Sequence, residues 1–280
     1  MDAAVADHEL SESAGALGLT VAVVSDHGSW AGSAGKDAVG TPLDPHAMMP
    51  IDSITKTFTA AEVLLLAAAG DVDLDAPLST YVRHPLVSNG ITVRQVMSMR
   101  SGVTDAPSSR YDELVRLELS TSVDPWTIER TLDFLKPTLA PAGPAPVYAN
   151  TNYLLLGLLV EKVTGRSMAH ALRTDLFDAA HLTRIAAQDD EKPTPPMVAD
   201  PLTLIPKPDG YLPLREWVHP THNTSAGIAA DAQTVAQWGY ALYGQRVLPR
   251  PSSLAWSPSP RCRPCSPGSA TPSAPWCSTG

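Results

Sequence analysis

The sequence predicts an α/β protein, a short antiparallel sheet element followed by buried helices, and two observations predict it. Leu19-Thr20-Val21-Ala22-Val23-Val24 is an apolar, β-branched run that reads as a buried strand, and Gly28 turns it into a second strand near Trp30. Downstream, three apolar runs have helical length and marked ends. Thr57 to Ala69 is rich in Ala and Leu and stops at Gly70, with the Asp71-Val72-Asp73 turn beyond it. Leu154 to Val163 closes at Gly165, and Asp231 to Tyr243 opens on Asp231, a residue type that caps helix N-termini.

Composition agrees with a globular enzyme. The chain has 280 residues, is 44% hydrophobic and carries a net charge of -9, enough to bury a sizeable core and of the wrong sign for nucleic acid. The helix of Leu154 to Val163 is too short to span a bilayer, so no transmembrane segment is expected. Met1-Asp2-Ala3-Ala4-Val5 has neither a basic n-region nor a long apolar h-region, which reads as a chain without a secretory signal, cytoplasmic as written. No feature sets an oligomeric state.

The chemistry begins at Ser53-Ile54-Thr55-Lys56. With 24 serines and six lysines, Ser-x-x-Lys is expected about once by chance, and Ser33-Ala34-Gly35-Lys36 matches it too. Context separates them. Ser33 lies in a Gly-rich hairpin or loop stretch, Gly28 to Gly40, where nothing fixes both side chains on one face. Ser53 instead opens the helical run, where residues three apart share a face, so the Lys56 amine is placed beside the Ser53 hydroxyl. A serine hydroxyl needs a neighbour to take its proton, and a lysine does this when burial or nearby positive charge lowers its pKa. The helix N-terminus adds N–H donors where an oxyanion would form. The plain alternative is a helix-capping serine with a solvated lysine.

Tyr148 and Asn150 follow Pro141-Ala142-Gly143-Pro144-Ala145-Pro146-Val147, whose prolines exclude a helix and predict a stiff loop carrying both residues. A phenol and a carboxamide on that loop suit a proton shuttle and a substrate-orienting amide; an ordinary turn tyrosine is the alternative. Together with Phe58-Thr59-Ala60, Leu74-Asp75-Ala76-Pro77-Leu78, Ile91-Thr92-Val93-Arg94-Gln95-Val96-Met97-Ser98, Arg100-Ser101-Gly102-Val103 and Tyr148-Ala149-Asn150-Thr151-Asn152-Tyr153, the motif resembles the class C β-lactamase and D-Ala-D-Ala carboxypeptidase family, in the same order, from about Leu19 to Leu248. Its carboxypeptidase and esterase branches match at least as well as true class C β-lactamases.

The resemblance implies a β-lactamase/transpeptidase-like fold. It divides the chain into strands and the start of the nucleophile helix over 1–56, a mostly helical part over 57–225, a return helix over 226–248 and a tail over 249–280. It further implies Ser53 as acylated nucleophile, Lys56 as base or proton relay, Tyr148 as second proton carrier and Asn150 as donor to the substrate's amide carbonyl. The Ser53 N–H would form half of the oxyanion hole, and Ser225 and Gly227 would border the cleft. The substrate would be a small molecule or peptidoglycan-like, a peptide ending in D-Ala, a β-lactam or an ester, and no metal or organic cofactor is required.

One expected piece is missing: no His-x-Gly or Lys-Thr-Gly, the motif that lines the site on a core strand, follows Tyr148. After about Pro249 the composition turns to Pro, Ser, Arg, Cys and Trp without periodicity, as GC-rich codons read out of frame would give, and the sheet is expected to be left incomplete. Cys262, Cys265 and Cys277 all lie there, and without a tail histidine they leave a zinc site one ligand short. An inactive chain that keeps at most a binding role is therefore the alternative to a serine hydrolase. His84, His219 and His222 lack metal spacing, and Asp71, Asp73 and Asp75 lack the downstream Gly and Glu of a calcium loop. Lys192 to Pro208 reads as a surface loop over the site.

Overall fold

The hairpin forms where the β-branched run is. Strand β1 (Gly18–Ser25) pairs antiparallel with β2 (Gly28–Gly35), Val23 opposite Trp30, across a tight turn that Gly28 closes at φ 130°. A computed structural model describes residues 18–248 apart from 38, 89, 112, 115–126, 189, 199–205, 208, 209 and 212–222. These all fall in one compact unit, Met1–Pro249; the second unit, Arg250–Gly280, lies outside the described residues.

Beyond β2 the chain makes the short strand β3 (Met49–Pro50), a 3-10 turn at Asp52–Ile54 and helix α1 (Thr55–Ala69), which ends on Gly70 at φ 87°. Gly without a Cβ takes this left-handed cap at no steric cost. Helix α2 (Val93–Met97) is held by a capping box between Thr92 and Gln95. Helix α3 (Ile128–Leu135) starts on the Thr127 cap, and α4 (Asn150–Thr164) is buried all round over Thr151 to Val160. The Ser167-capped helix α5 (Met168–Ala171) runs on as a π turn, Leu172–Phe177. Then come β4 (Ile185–Ala187), a ribbon of β5 (Pro206–Lys207) with β6 (Gly210–Tyr211), helix α6 (Asn223–Ala226), β7 (Ile228–Ala230) and helix α7 (Ala232–Tyr243). The Asp231 carboxylate accepts from Thr234 N–H at 2.7 Å and caps α7 as its residue type predicts.

Strand β7 is central to a three-stranded antiparallel sheet in the order β3-β7-β4, with Met49 and Ile185 both opposite Ala230. The residues of β4 and β7 are buried on both faces, those of β3 are half-buried, and Met48, Ala186, Met197 and Ala229 cluster there. Met197 is thus part of the core: its segment of the predicted surface loop Lys192 to Pro208 folds inward, because Val198 N–H donates to Met48 O at 3.1 Å. Helix α7 packs on β1, and its Trp238 stacks on Phe58 of α1 with ring centroids 4.0 Å apart and planes 12° from parallel. Phe177 meets Phe58 edge-on at 5.5 Å. Aromatic pairs of this kind add about 0.5–1.5 kcal/mol each beyond their buried area, and this trio fixes the underside of the helix that carries Lys56. No helix among the described residues is long and apolar enough to cross a membrane.

Candidate active site

Ser53 is not on the α-helix that the sequence predicts it to open. It sits in the preceding 3-10 turn because Asp52 is left-handed at φ 43°, a conformation that costs a residue with a side chain about 1–3 kcal/mol and must be held by its surroundings. The hold comes from β7: Ile51 N–H donates to Ile228 O at 2.9 Å, and Ile228 N–H donates to the Thr55 hydroxyl at 3.2 Å. The tight turn presents Ser53 on the surface and still leaves Lys56, one turn on, buried beside it.

Lys56 Nζ donates to Ser53 Oγ at 3.0 Å, Asn150 Oδ1 at 2.8 Å and the Ser225 carbonyl at 2.9 Å. These three acceptors match the three hydrogens of an ammonium group. Tyr148 Oη lies 2.7 Å from Ser53 Oγ, and Nζ stands 5.1 Å from the Tyr148 ring centroid and 5.8 Å from that of Tyr153. Partial burial pushes the Tyr148 phenol up, but its interactions with Lys56 and Ser53 outweigh burial and hold it below the ordinary tyrosine value; the Asp105 carboxylate works against them. Burial raises Tyr153, with Tyr148 adding to the rise.

The loop that carries Tyr148 is stiff for a further reason than its prolines. Val147 N–H donates to Met99 O at 2.8 Å, Ala140 N–H to Gly102 O at 2.8 Å, and Arg100 Nε to Pro144 O at 2.8 Å, which zips residues 140–147 to 99–102. Gly102, at φ 80°, is needed here: a Cβ would come within 2.1 Å of the Ala140 carbonyl oxygen. Below the zipper, the buried Ser101 hydroxyl donates to Asn152 Oδ1 at 2.5 Å and accepts from Val103 N–H at 3.0 Å.

Asn150, predicted on the loop with Tyr148, is in the first turn of α4. The reason is Asp105, a residue the sequence did not single out: its carboxylate accepts from the backbone N–H of Asn150 and of Thr151, both at 2.9 Å, and so caps a helix whose own N-cap is Ala149. An N-cap without a side-chain oxygen is the one sequence signal that a cap must come from elsewhere. Ser225 and Gly227 are buried. Ser225 reaches the cluster through its carbonyl, while the Gly227 carbonyl accepts from Gln188 N–H at 2.9 Å. Thr59 Oγ1 donates to Thr224 O and Thr224 Oγ1 to Tyr153 O, each at 2.7 Å, tying this segment to α1 and α4. Ser53, Lys56, Tyr148, Asn150 and Ser225 are thus brought together from three stretches of chain. The second Ser-x-x-Lys is spent otherwise: Ser33 is in β2 and donates to Leu43 O at 2.6 Å. His84 accepts from Leu86 N–H through Nδ1. His219, His222 and the three cysteines lie outside the described residues, and no group of three or more potential metal ligands occurs among the described residues.

Residues 5–261 match the sequence profile of the Beta-lactamase family. Esterase EstB of Burkholderia gladioli is 28% identical over 221 residues, 68% of this chain and 55% of that protein. Penicillin-binding protein 4* of Bacillus subtilis is 24% identical over 139 residues, 49% of this chain and 30% of that protein. The chain therefore spans about half or less of the length of these curated relatives. Among solved structures, the D-amino acid amidase of Ochrobactrum anthropi superposes with a TM-score of 0.73 at 21% identity, over 89% of this chain and 72% of the amidase, which places the fold with the β-lactamase/transpeptidase group.

Proposed function

Because the chain belongs to the beta-lactamase family, we propose that it is a serine hydrolase that cleaves an amide, lactam or ester through an acyl-enzyme on Ser53. The observation that carries this reading is the position of Ser53 Oγ, 2.7 Å from the Tyr148 phenol and 3.0 Å from Lys56 Nζ. In the proposed cycle Oγ attacks the substrate carbonyl carbon as its proton passes to the Tyr148 phenolate, which Lys56 stabilises as a neighbouring cation. The carbonyl oxygen, now negative, turns to the Ser53 N–H, and Tyr148 returns the proton to the departing nitrogen or oxygen. Water then attacks the ester on Ser53 by the same proton path and releases the acid. Asn150 meets the substrate's amide carbonyl with the Nδ2 hydrogen that does not face Asp105, and Ser225 and Gly227 border the cleft.

Substrate classes consistent with this site are a peptide ending in D-Ala, a β-lactam and an ester; similarity to an esterase and an amidase favours the ester and the simple amide. The lack of a His-x-Gly or Lys-Thr-Gly after Tyr148 favours a second reading, binding without turnover, since losing even one oxyanion donor costs about 10²–10³ in rate. Intact mass of the purified protein after incubation with a β-lactam and with an activated ester separates the two. An adduct that Ser53→Ala abolishes supports the hydrolase, and the reagent that forms it gives the substrate class. A folded protein that forms no such adduct supports binding alone.

A further inference from the structure

The carboxamide of Asn150 is held from two opposite sides by groups that cannot exchange roles. Asp105 Oδ2 accepts from Asn150 Nδ2 at 3.2 Å and from Asn150 N–H at 2.9 Å, while Oδ1 accepts from Thr151 N–H and Oγ1, both at 2.9 Å. On the far side Lys56 Nζ donates to Asn150 Oδ1 at 2.8 Å. An ionised carboxylate only accepts and an ammonium only donates, so turning the amide over would set oxygen against oxygen at Asp105 and nitrogen against nitrogen at Lys56. Without Asp105 the amide would keep only the Lys56 contact to hold its plane.

We propose that Asp105 is a positioning residue for acylation of Ser53: it fixes which face of the Asn150 carboxamide meets Lys56 and which Nδ2 hydrogen meets the substrate. The proposal rests on the serine hydrolase reading for its kinetic consequence, and on the geometry alone for its orientation of Asn150. Capping α4 is the separate, structural service of the same carboxylate, delivered through the two backbone N–H groups.

Asp105→Asn, made in the parent protein and in an Asn150→Ala background, separates the two roles. Its Oδ1 can still accept from Thr151, but its Nδ2 confronts the donors of Asn150, so the Asn150 amide must turn or shift and then confronts Lys56. The direct readout is the side-chain amide signal of Asn150 in a nitrogen-15 NMR spectrum, identified by its absence in Asn150→Ala. The expected result is one exchange-protected Nδ2 hydrogen in the parent protein, the one facing Asp105, displaced from its free-amide position and returning to it in Asp105→Asn; two hydrogens already at free-amide positions, or signals unchanged by the substitution, overturn the proposal. The kinetic readout is the Ser53 acylation rate with an activated ester. Asp105→Asn is expected to slow it about 10- to 100-fold, as small misplacements of a positioned group do. In an Asn150→Ala background the same substitution is expected to slow acylation no further while still lowering the melting temperature. Equal slowing in both backgrounds would make Asp105 a helix cap only. If the parent protein forms no Ser53 adduct, it is the hydrolase reading that fails, and the NMR experiment still decides the role of Asp105.

Discussion

Glu62, on the helix that carries Lys56, is fully buried, and no described donor reaches either carboxyl oxygen. Burial above all, and then the nearby Asp175 carboxylate, push it from an ordinary 4.5 to about 7; Arg166 pulls the other way. Asp175 itself is held below its ordinary value by Arg166, which forks onto both its oxygens, so of the two acids Glu62 keeps the proton. The unfolded chain releases that proton near 4.5 and the folded chain near 7. Between these values the folded state binds more protons than the unfolded one, so stability falls as pH rises through the window and levels off on either side. At 1.36 kcal/mol per pH unit the full loss is roughly 3 kcal/mol, a large part of a typical domain's stability. Glu62→Gln keeps the shape and cannot ionise, and the added amide can donate to Asp175. The variant is therefore expected to match the parent near pH 5 and to exceed it by about 1.5–3 kcal/mol at pH 8, measured by urea denaturation at both values. If the gap between variant and parent is the same at both pH values, Glu62 does not titrate in this window and the reasoning is wrong.

Two further outcomes are expected. Since the Tyr148 phenol lies below its ordinary value, the phenolate fraction and hence Ser53 acylation should rise with pH to a midpoint below about 10. Tyr148→Phe should slow acylation about 10²–10⁴-fold and remove that limb, and a variant that keeps the limb would assign the base to another group. Gly157 of α4 faces α6 so closely that a Cβ would lie 2.2 Å from Thr224 Cγ2 and 2.9 Å from Ile128 Cδ1. Gly157→Ala should cost about 1–3 kcal/mol in a melt or urea titration, and it should slow acylation as well, because Thr224 adjoins the Ser225 carbonyl that holds Lys56.

What could be read from the sequence was local. Gly70 and Gly165 mark helix ends by a conformation that glycine takes without strain, and Asp231 marks a start with its own carboxylate; all three are found where composition puts them. The pairing of Ser53 with Lys56 is local too, and survives the change from an α-turn to a 3-10 turn. The errors came where a distant residue decided. Asn150 is helical because Asp105 supplies the cap that Ala149 cannot, and no periodicity around Asn150 contains Asp105. Likewise β4 and β7, three residues each and buried on both faces, are too short to show an alternation. The left-handed Asp52 had no glycine to announce it, being held by contacts with β7.

The route by which Lys56 acquires its partners has a kinetic meaning. Its contact with Ser53 spans three residues, that with Asn150 spans 94, and that with Ser225 spans 169. Loops of such length close late, after local helices have formed, because their chain entropy must be surrendered before the contact rewards it. A nascent or refolding chain therefore carries its serine and lysine close in sequence, but the turn that sets them side by side waits for β7, as the carbonyl and carboxamide that orient the amine wait for their own loops. On the proposed hydrolase reading the amine is oriented toward Ser53 only when these long loops close, so an acylating dye added during refolding is expected to mark the molecules that have finished.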